Sequence, residues 1–141
     1  MRTVTYTVTS SIPVPIDRVF ATLTDPTRMS QWLPACRAAS APTPLQRGTV
    51  IKLQFDNREA ELEVVEVKAP TLLAWVERAP RRHWRTVFRL AFAGGTTSVT
   101  VSQLWMPPSL LTWLRARFFP KRNVAARLDR LVRDLRQALA K

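Results

Sequence analysis

Four scarcities bound what this chain can be. Cysteine occurs once, at Cys36, so no disulfide can close within the chain. Histidine also occurs once, at His83, and one His with one Cys falls short of the three or four ligands a zinc site uses. A lone His likewise leaves no assembled nucleophile and base, and His83 sits on the arginine-rich side of its segment, as a surface residue would. Glycine occurs three times, too sparsely for a phosphate-cradling loop. Long apolar runs are missing as well: crossing a bilayer takes ~20 such residues, and the longest candidate, 110–119, is interrupted by Arg115 and Arg117. Residues 1–10 alternate Thr with Val and Tyr and form no apolar signal core. The expectation is a soluble cytoplasmic protein with no metal, cofactor or disulfide.

What is present is apolar bulk and positive charge. A hydrophobic fraction of 46% with five Trp and six Phe in 141 residues excludes a disordered chain and suits one core, hence one domain over 1–141. The formal charge is +12, which raises nucleic acid as a partner. Yet 18 of the 22 basic residues are Arg, and nine of the 22 fall within 110–141, where only Asp129 and Asp134 oppose them. A solvated helix face accounts for that run more simply than a phosphate-binding site.

The order of elements follows from periodicity. Residues 3–9 alternate strictly, with Val4, Tyr6 and Val8 on one face and threonines on the other, as in a half-buried strand. Pro13 and Pro15 end it, with Pro15 just inside a helix carrying Ile16, Val19, Phe20 and Leu23. Asp25-Pro26 caps a second short helix bearing Met29 and Trp32, which Pro34 stops. Residues 38–47 suggest an irregular or edge strand before a turn at Arg47-Gly48.

Alternating runs then follow. Ile51, Leu53 and Phe55 share a face. Ala60, Leu62 and Val64 oppose Glu59, Glu61 and Glu63 before a phase slip at Val64-Val65, the mark of a β-bulge. Residues 72–78 form a further run. In the next, Trp84, Thr86, Phe88, Leu90 and Phe92 share one face, and Gly94-Gly95 turns the chain into a last strand over 96–106. Pro107-Pro108 ends the sheet, and Ser109 opens a short helix with Leu110, Leu111, Trp113, Leu114 and Phe118 that Pro120 interrupts. From residue 121 to 140, Val124, Leu128, Leu131, Val132, Leu135 and Leu139 form one helical stripe. Such a helix is ~30 Å long, about the width of seven strands at ~4.8 Å spacing.

This order, with Ile12-Pro13-Val14-Pro15-Ile16-Asp17-Arg18-Val19-Phe20, Leu23-Thr24-Asp25-Pro26, Trp32 and Gly95-Thr96, resembles the START-like, or SRPBCC, superfamily, which includes polyketide cyclase/dehydrase-like proteins. The resemblance covers essentially the whole chain. It implies an α+β helix-grip fold: a seven-stranded curved antiparallel sheet, two short helices after the first strand, and a long C-terminal helix on the concave face. It also implies a cavity between sheet and helix that holds sterols, lipids, polyketides or other apolar molecules.

The candidate lining is Tyr6, Trp32, Leu53, Phe55, Trp75, Trp84, Phe88, Trp105, Met106 and Trp113. Large aromatics with few polar groups suit an apolar ligand, although for each one taken separately core packing is the simpler reading. No catalytic residue is identified. Tyr6, the titratable hydroxyl predicted to face inward, either bonds a ligand or satisfies a backbone group. The leading expectation is binding or transport of a small hydrophobic molecule, and the alternative is a polyketide cyclase or dehydratase working in the same cavity. Residues 110–122 mix Leu, Trp and Phe with Arg and Lys, so they read either as a cavity lid or as a segment touching an anionic membrane surface.

Overall fold

A computed structural model describes residues 4–79, 84–105 and 122–140. Seven strands, β1 (Val4–Ile12), β2 (Cys36–Ser40), β3 (Val50–Phe55), β4 (Glu59–Lys68), β5 (Leu72–Ala79), β6 (Trp84–Ala93) and β7 (Thr96–Trp105), form one antiparallel sheet. Its order is β1-β7-β6-β5-β4-β3-β2, a six-strand meander closed by the N-terminal strand pairing with the last. Helix α1 (Ile16–Leu23), a 3₁₀ turn (Pro26–Arg28) and helix α2 (Met29–Trp32) link β1 to β2, and α3 (Arg122–Ala140) follows the sheet. The expected helix-grip architecture is the one observed.

Local chemistry accounts for the boundaries. Pro15 occupies the cap position with extended backbone, so α1 starts one residue later than the sequence suggested, at Ile16. The Asp25 carboxylate accepts from the Thr27 amide at 3.0 Å and the Thr27 hydroxyl at 2.7 Å, capping the 3₁₀ turn where one continuous helix was expected. Gly94 and Gly95 both have positive φ, +61° and +84°, the backbone that a tight two-residue hairpin demands. In β4 the register shifts between Val64 and Glu66, so Val65 bulges where the alternation slips. A second bulge at Arg78 lets Glu77 stay opposite inward-facing Leu62 while the Arg78 guanidinium reaches Glu61 and Glu63, each at 3.7 Å.

One hydrophobic cluster joins the inner sheet face to α1, α2 and α3. The α3 stripe behaves as its spacing predicts: Leu128, Leu131, Val132, Leu135 and Leu139 are buried, and Arg130, Arg133 and Arg136 are exposed. The helix packs against β1, β7, α1 and α2, and Arg18 on α1 donates to the carbonyl of Leu139 at 3.2 Å, fixing its far end. The Thr97 hydroxyl donates to the Val14 carbonyl at 2.6 Å inside the core, which ties the start of β7 to the segment leaving β1.

Phe92 departs from the inward expectation, being 48% exposed. It lies near the hairpin tip, beyond the last β5 partner of β6, Leu72 opposite Arg89, so only β7 flanks it there. Residues 106–121, with the expected short helix and the membrane-contact segment up to residue 121, lie outside the described residues, as does His83.

Leu135 has no exposed surface and sits at the centre of the α3 stripe. Leu135→Ala should lower unfolding free energy in urea by about 2–5 kcal/mol, whereas Arg136→Ala, on the exposed side of the same turn, should change it by less than about 0.5 kcal/mol.

Candidate functional site

A cavity of about 370 Å³ opens between the inner sheet face and the first half of α3. Its floor comes from inward positions of successive strands, which alternation along each strand places on one side: Leu53 and Phe55 on β3, Leu62 on β4, Trp75 and Glu77 on β5, Trp84 and Thr86 on β6, and Gln103 on β7. Arg127, Leu128, Arg130 and Leu131 of α3 form the roof. Leu33, Pro34 and Ala35, between α2 and β2, close one side with Asn57 and Arg58 of the β3–β4 turn. Ala35 holds φ at +61°, a left-handed conformation that is costly for a residue with a Cβ, and it stands on this rim.

The wall is of two kinds. Leu53, Phe55, Leu62, Trp75, Leu128 and Leu131 give an apolar surface, and Trp84 stacks on its cross-strand partner Trp105 with centroids 5.9 Å apart and planes 18° apart. Against these stands an ionic fork: Arg58 donates to both Glu77 oxygens at 3.3 and 3.4 Å, with its guanidinium 4.7 Å from the Phe55 ring centroid. The Glu77 side chain is only 11% exposed and that of Arg58 26%, so the pair is shielded more than a surface ion pair. On the roof, Arg130 also reaches Asp134 at 3.6 Å, one turn along.

The structure sorts the expected lining residues into groups. Leu53, Phe55, Trp75 and Trp84 line the cavity. Trp32 and Phe88 do not: both have no accessible surface at all, and they pack edge-to-face at 5.7 Å, with Trp75 completing the cluster at 6.4 and 5.1 Å. They back Trp75 as core and are not part of the cavity wall. Tyr6 is half-buried against the core and is not part of the wall, because its strand lies at the sheet edge beyond β7. Trp105 acts through Trp84, and Met106 and Trp113 lie outside the described residues.

The polar wall was missed, although the signal was present. Leu73, Trp75 and Glu77 are alternate residues, as are Val99, Val101 and Gln103, so continuing the period of two puts Glu77 and Gln103 inward.

Chemically, the site can enclose an apolar molecule and offer it a carboxylate, a guanidinium and an amide. Cys36 belongs to the core, 7% exposed, and burial pushes its thiol pKa up, away from reactive thiolate behaviour. Among the described residues no cluster of His, Cys, Asp and Glu could hold a metal ion, and no helix is long and apolar enough to cross a membrane.

The sequence model of the family described as polyketide cyclase / dehydrase and lipid transport matches residues 1–136. No curated protein sequence matches the chain. Among solved structures, protein MLL2253 from Mesorhizobium loti is 18% identical with a TM-score of 0.75, each chain covered to 96%. DynU16, a protein of the dynemicin biosynthetic locus, is 20% identical with a TM-score of 0.72, over 97% of this chain and 47% of that one. The Aha1 dimer from Colwellia psychrerythraea is 14% identical with a TM-score of 0.69, over 99% and 96%. At these identities the likeness is one of fold.

Arg58 and Glu77 should be energetically coupled. In a double-mutant cycle read by urea unfolding, Glu77→Gln and Arg58→Met should each destabilise, and the pair together should cost less than the sum by about 1 kcal/mol. Strict additivity would show that the fork contributes nothing.

Proposed function

The chain belongs to the polyketide cyclase / dehydrase and lipid transport family, and from that premise we propose that it binds or carries a small, largely apolar molecule between the sheet and α3. The observation that carries this reading is the cavity of about 370 Å³ whose floor includes Leu53, Phe55, Trp75 and Trp84. A pocket of a few hundred Å³ lined by aromatics and a few convergent polar groups is what small-molecule sites use. Lipids, polyketides and other aromatic compounds all fit this chemistry, and the cytoplasm is the compartment in which we place the activity.

A second reading, a cyclase or dehydratase acting in the same cavity, is favoured by the Arg58–Glu77 fork. A carboxylate beside a guanidinium, facing an enclosed substrate, can take up or return a proton while the cation steadies a developing oxyanion. Glu77 thereby replaces Tyr6 as the residue to examine, since Tyr6 is not part of the cavity wall. Nucleic acid remains disfavoured, and the exposed Arg130, Arg133 and Arg136 fit a solvated helix face.

A panel of fatty acids, sterols and aromatic polyketides should contain at least one class that raises the melting temperature. Ligand at 100 times Kd adds about 2.7 kcal/mol to stability. Leu131→Trp, which fills the cavity from the roof, should fold and lose that shift. A variant that keeps the shift would place the ligand elsewhere. For the second reading, Glu77→Gln should abolish turnover of a bound substrate while leaving its Kd within a few fold.

A further inference from the structure

Charge around the cavity does not balance. Three guanidiniums stand on its wall, Arg58 from the β3–β4 turn and Arg127 and Arg130 from α3. Two carboxylates meet them: Glu77, 3.3 Å from Arg58, and Asp134, 3.6 Å from Arg130. However these five groups share their contacts, one positive charge is left in excess.

The other acids lie elsewhere. The chain has 10 Asp and Glu in all, every one within the described residues. Asp17 is on α1, Asp25 caps the 3₁₀ turn and Asp56 pairs with Arg37 at 2.8 Å. Glu59, Glu61 and Glu63 alternate with buried Ala60 and Leu62 and so face the outer side of the sheet, while Glu66 and Asp129 are exposed. The remaining residues of the chain include Arg and Lys but no Asp or Glu, so they bring no side-chain carboxylate to the cavity.

Arg127 and Arg130 are three residues apart, hence on one side of α3, beside Leu128 and Leu131 of the roof. Both are exposed, so they stand at the mouth, and the interior is left to Leu53, Phe55, Trp75 and Trp84. A molecule filling this site meets apolar wall along its body and excess positive charge at its outer end. A carboxylate at that end accepts charge-assisted hydrogen bonds from guanidiniums and keeps part of its hydration. A neutral guest leaves the excess unmatched, a cation adds to it, and a dianion overshoots it.

Resting on the small-molecule reading above, we infer that the guest is a monoanionic amphiphile: an organic acid whose apolar body lies against Leu53 and Trp75 and whose carboxylate lies at the mouth beside Arg127 and Arg130. The two arginines are specificity residues, selecting acids from neutral molecules of the same shape that the apolar wall alone would hold equally. No bond is made or broken, so the assignment holds for a carrier and for an enzyme alike.

Two pairs of probes test this by equilibrium dialysis at neutral pH. The acid 2-naphthoate is compared with 2-naphthamide, and decanoate with 1-decanol for a chain-shaped body. Taking the ratio of the two Kd values within each protein removes the differing affinity of the probes for water. In Arg127→Gln the ratio should move against the acid by about fivefold, as one lost charge contact at a partly exposed site implies, with the Kd of the neutral probe held within about twofold. Arg130→Gln takes its place should the first variant melt early. Arg136→Gln removes the same charge from an exposed residue half a turn round the helix from Arg127, and it should leave the ratio within about twofold. A ratio that moves by less than about threefold in Arg127→Gln, or that moves as far in Arg136→Gln, overturns the acid assignment and leaves the small-molecule reading standing. Failure of all four probes to bind the wild type up to their solubility overturns the two together.

Discussion

A straight helix laid across a twisted sheet can touch it over only part of its length. In this protein the contact is made at the β1–β7 side, where α3 buries Leu135, Val132 and Leu139 and where Arg18 holds the Leu139 carbonyl. Towards its start, Leu128 and Leu131 face a space that β3 to β7 floor with Leu53, Trp75 and Thr86. The void is thus a consequence of anchoring the helix at one end. It needs no special element, only an apolar stripe long enough to pass beyond its own seat.

That anchoring also explains how the interior divides. Beneath the seated part of the helix, aromatic bulk is consumed by packing: Trp32 from α2 wedges against Trp75 and Phe88 and seals them from one side. Trp75 consequently has two roles, its body in the core cluster and part of its surface in the cavity wall. Beneath the unseated part, polar groups are tolerated that a close-packed core would exclude. Arg58 and Glu77 neutralise one another there, and Gln103 lines the same space. Polar residues in a sheet face are costly when nothing meets them, so their position beside a void is informative in itself.

Much of this was legible from residue order. Strict alternation at Val4, Tyr6 and Val8, the Asp25-Pro26 cap, the phase slip at Val65 and the stripe from Val124 to Leu139 each rest on local stereochemistry, and the helix-grip reading came from the resemblance of that order of elements to the START-like superfamily. Less legible was the difference between an inward residue that packs and one that lines a space. Phe88 and Trp84 are two turns of the same alternation, yet one is sealed by Trp32, far away in sequence, and the other is not. Phe92 shows the same limit: its phase is that of a core residue, but β5 has already ended beside it. Glu77 and Gln103 were passed over because a search for apolar lining discounts polar residues that share its period.

The central claim is that the space under α3 is kept for a guest molecule. Native mass spectrometry of protein freshly purified from its own cell tests it most directly. The account predicts, beside the mass of the bare chain, a species heavier by one small molecule that is shed when the protein is denatured. A single species at the mass of the chain, in protein that also takes up none of a panel of lipids and aromatic compounds, would contradict it.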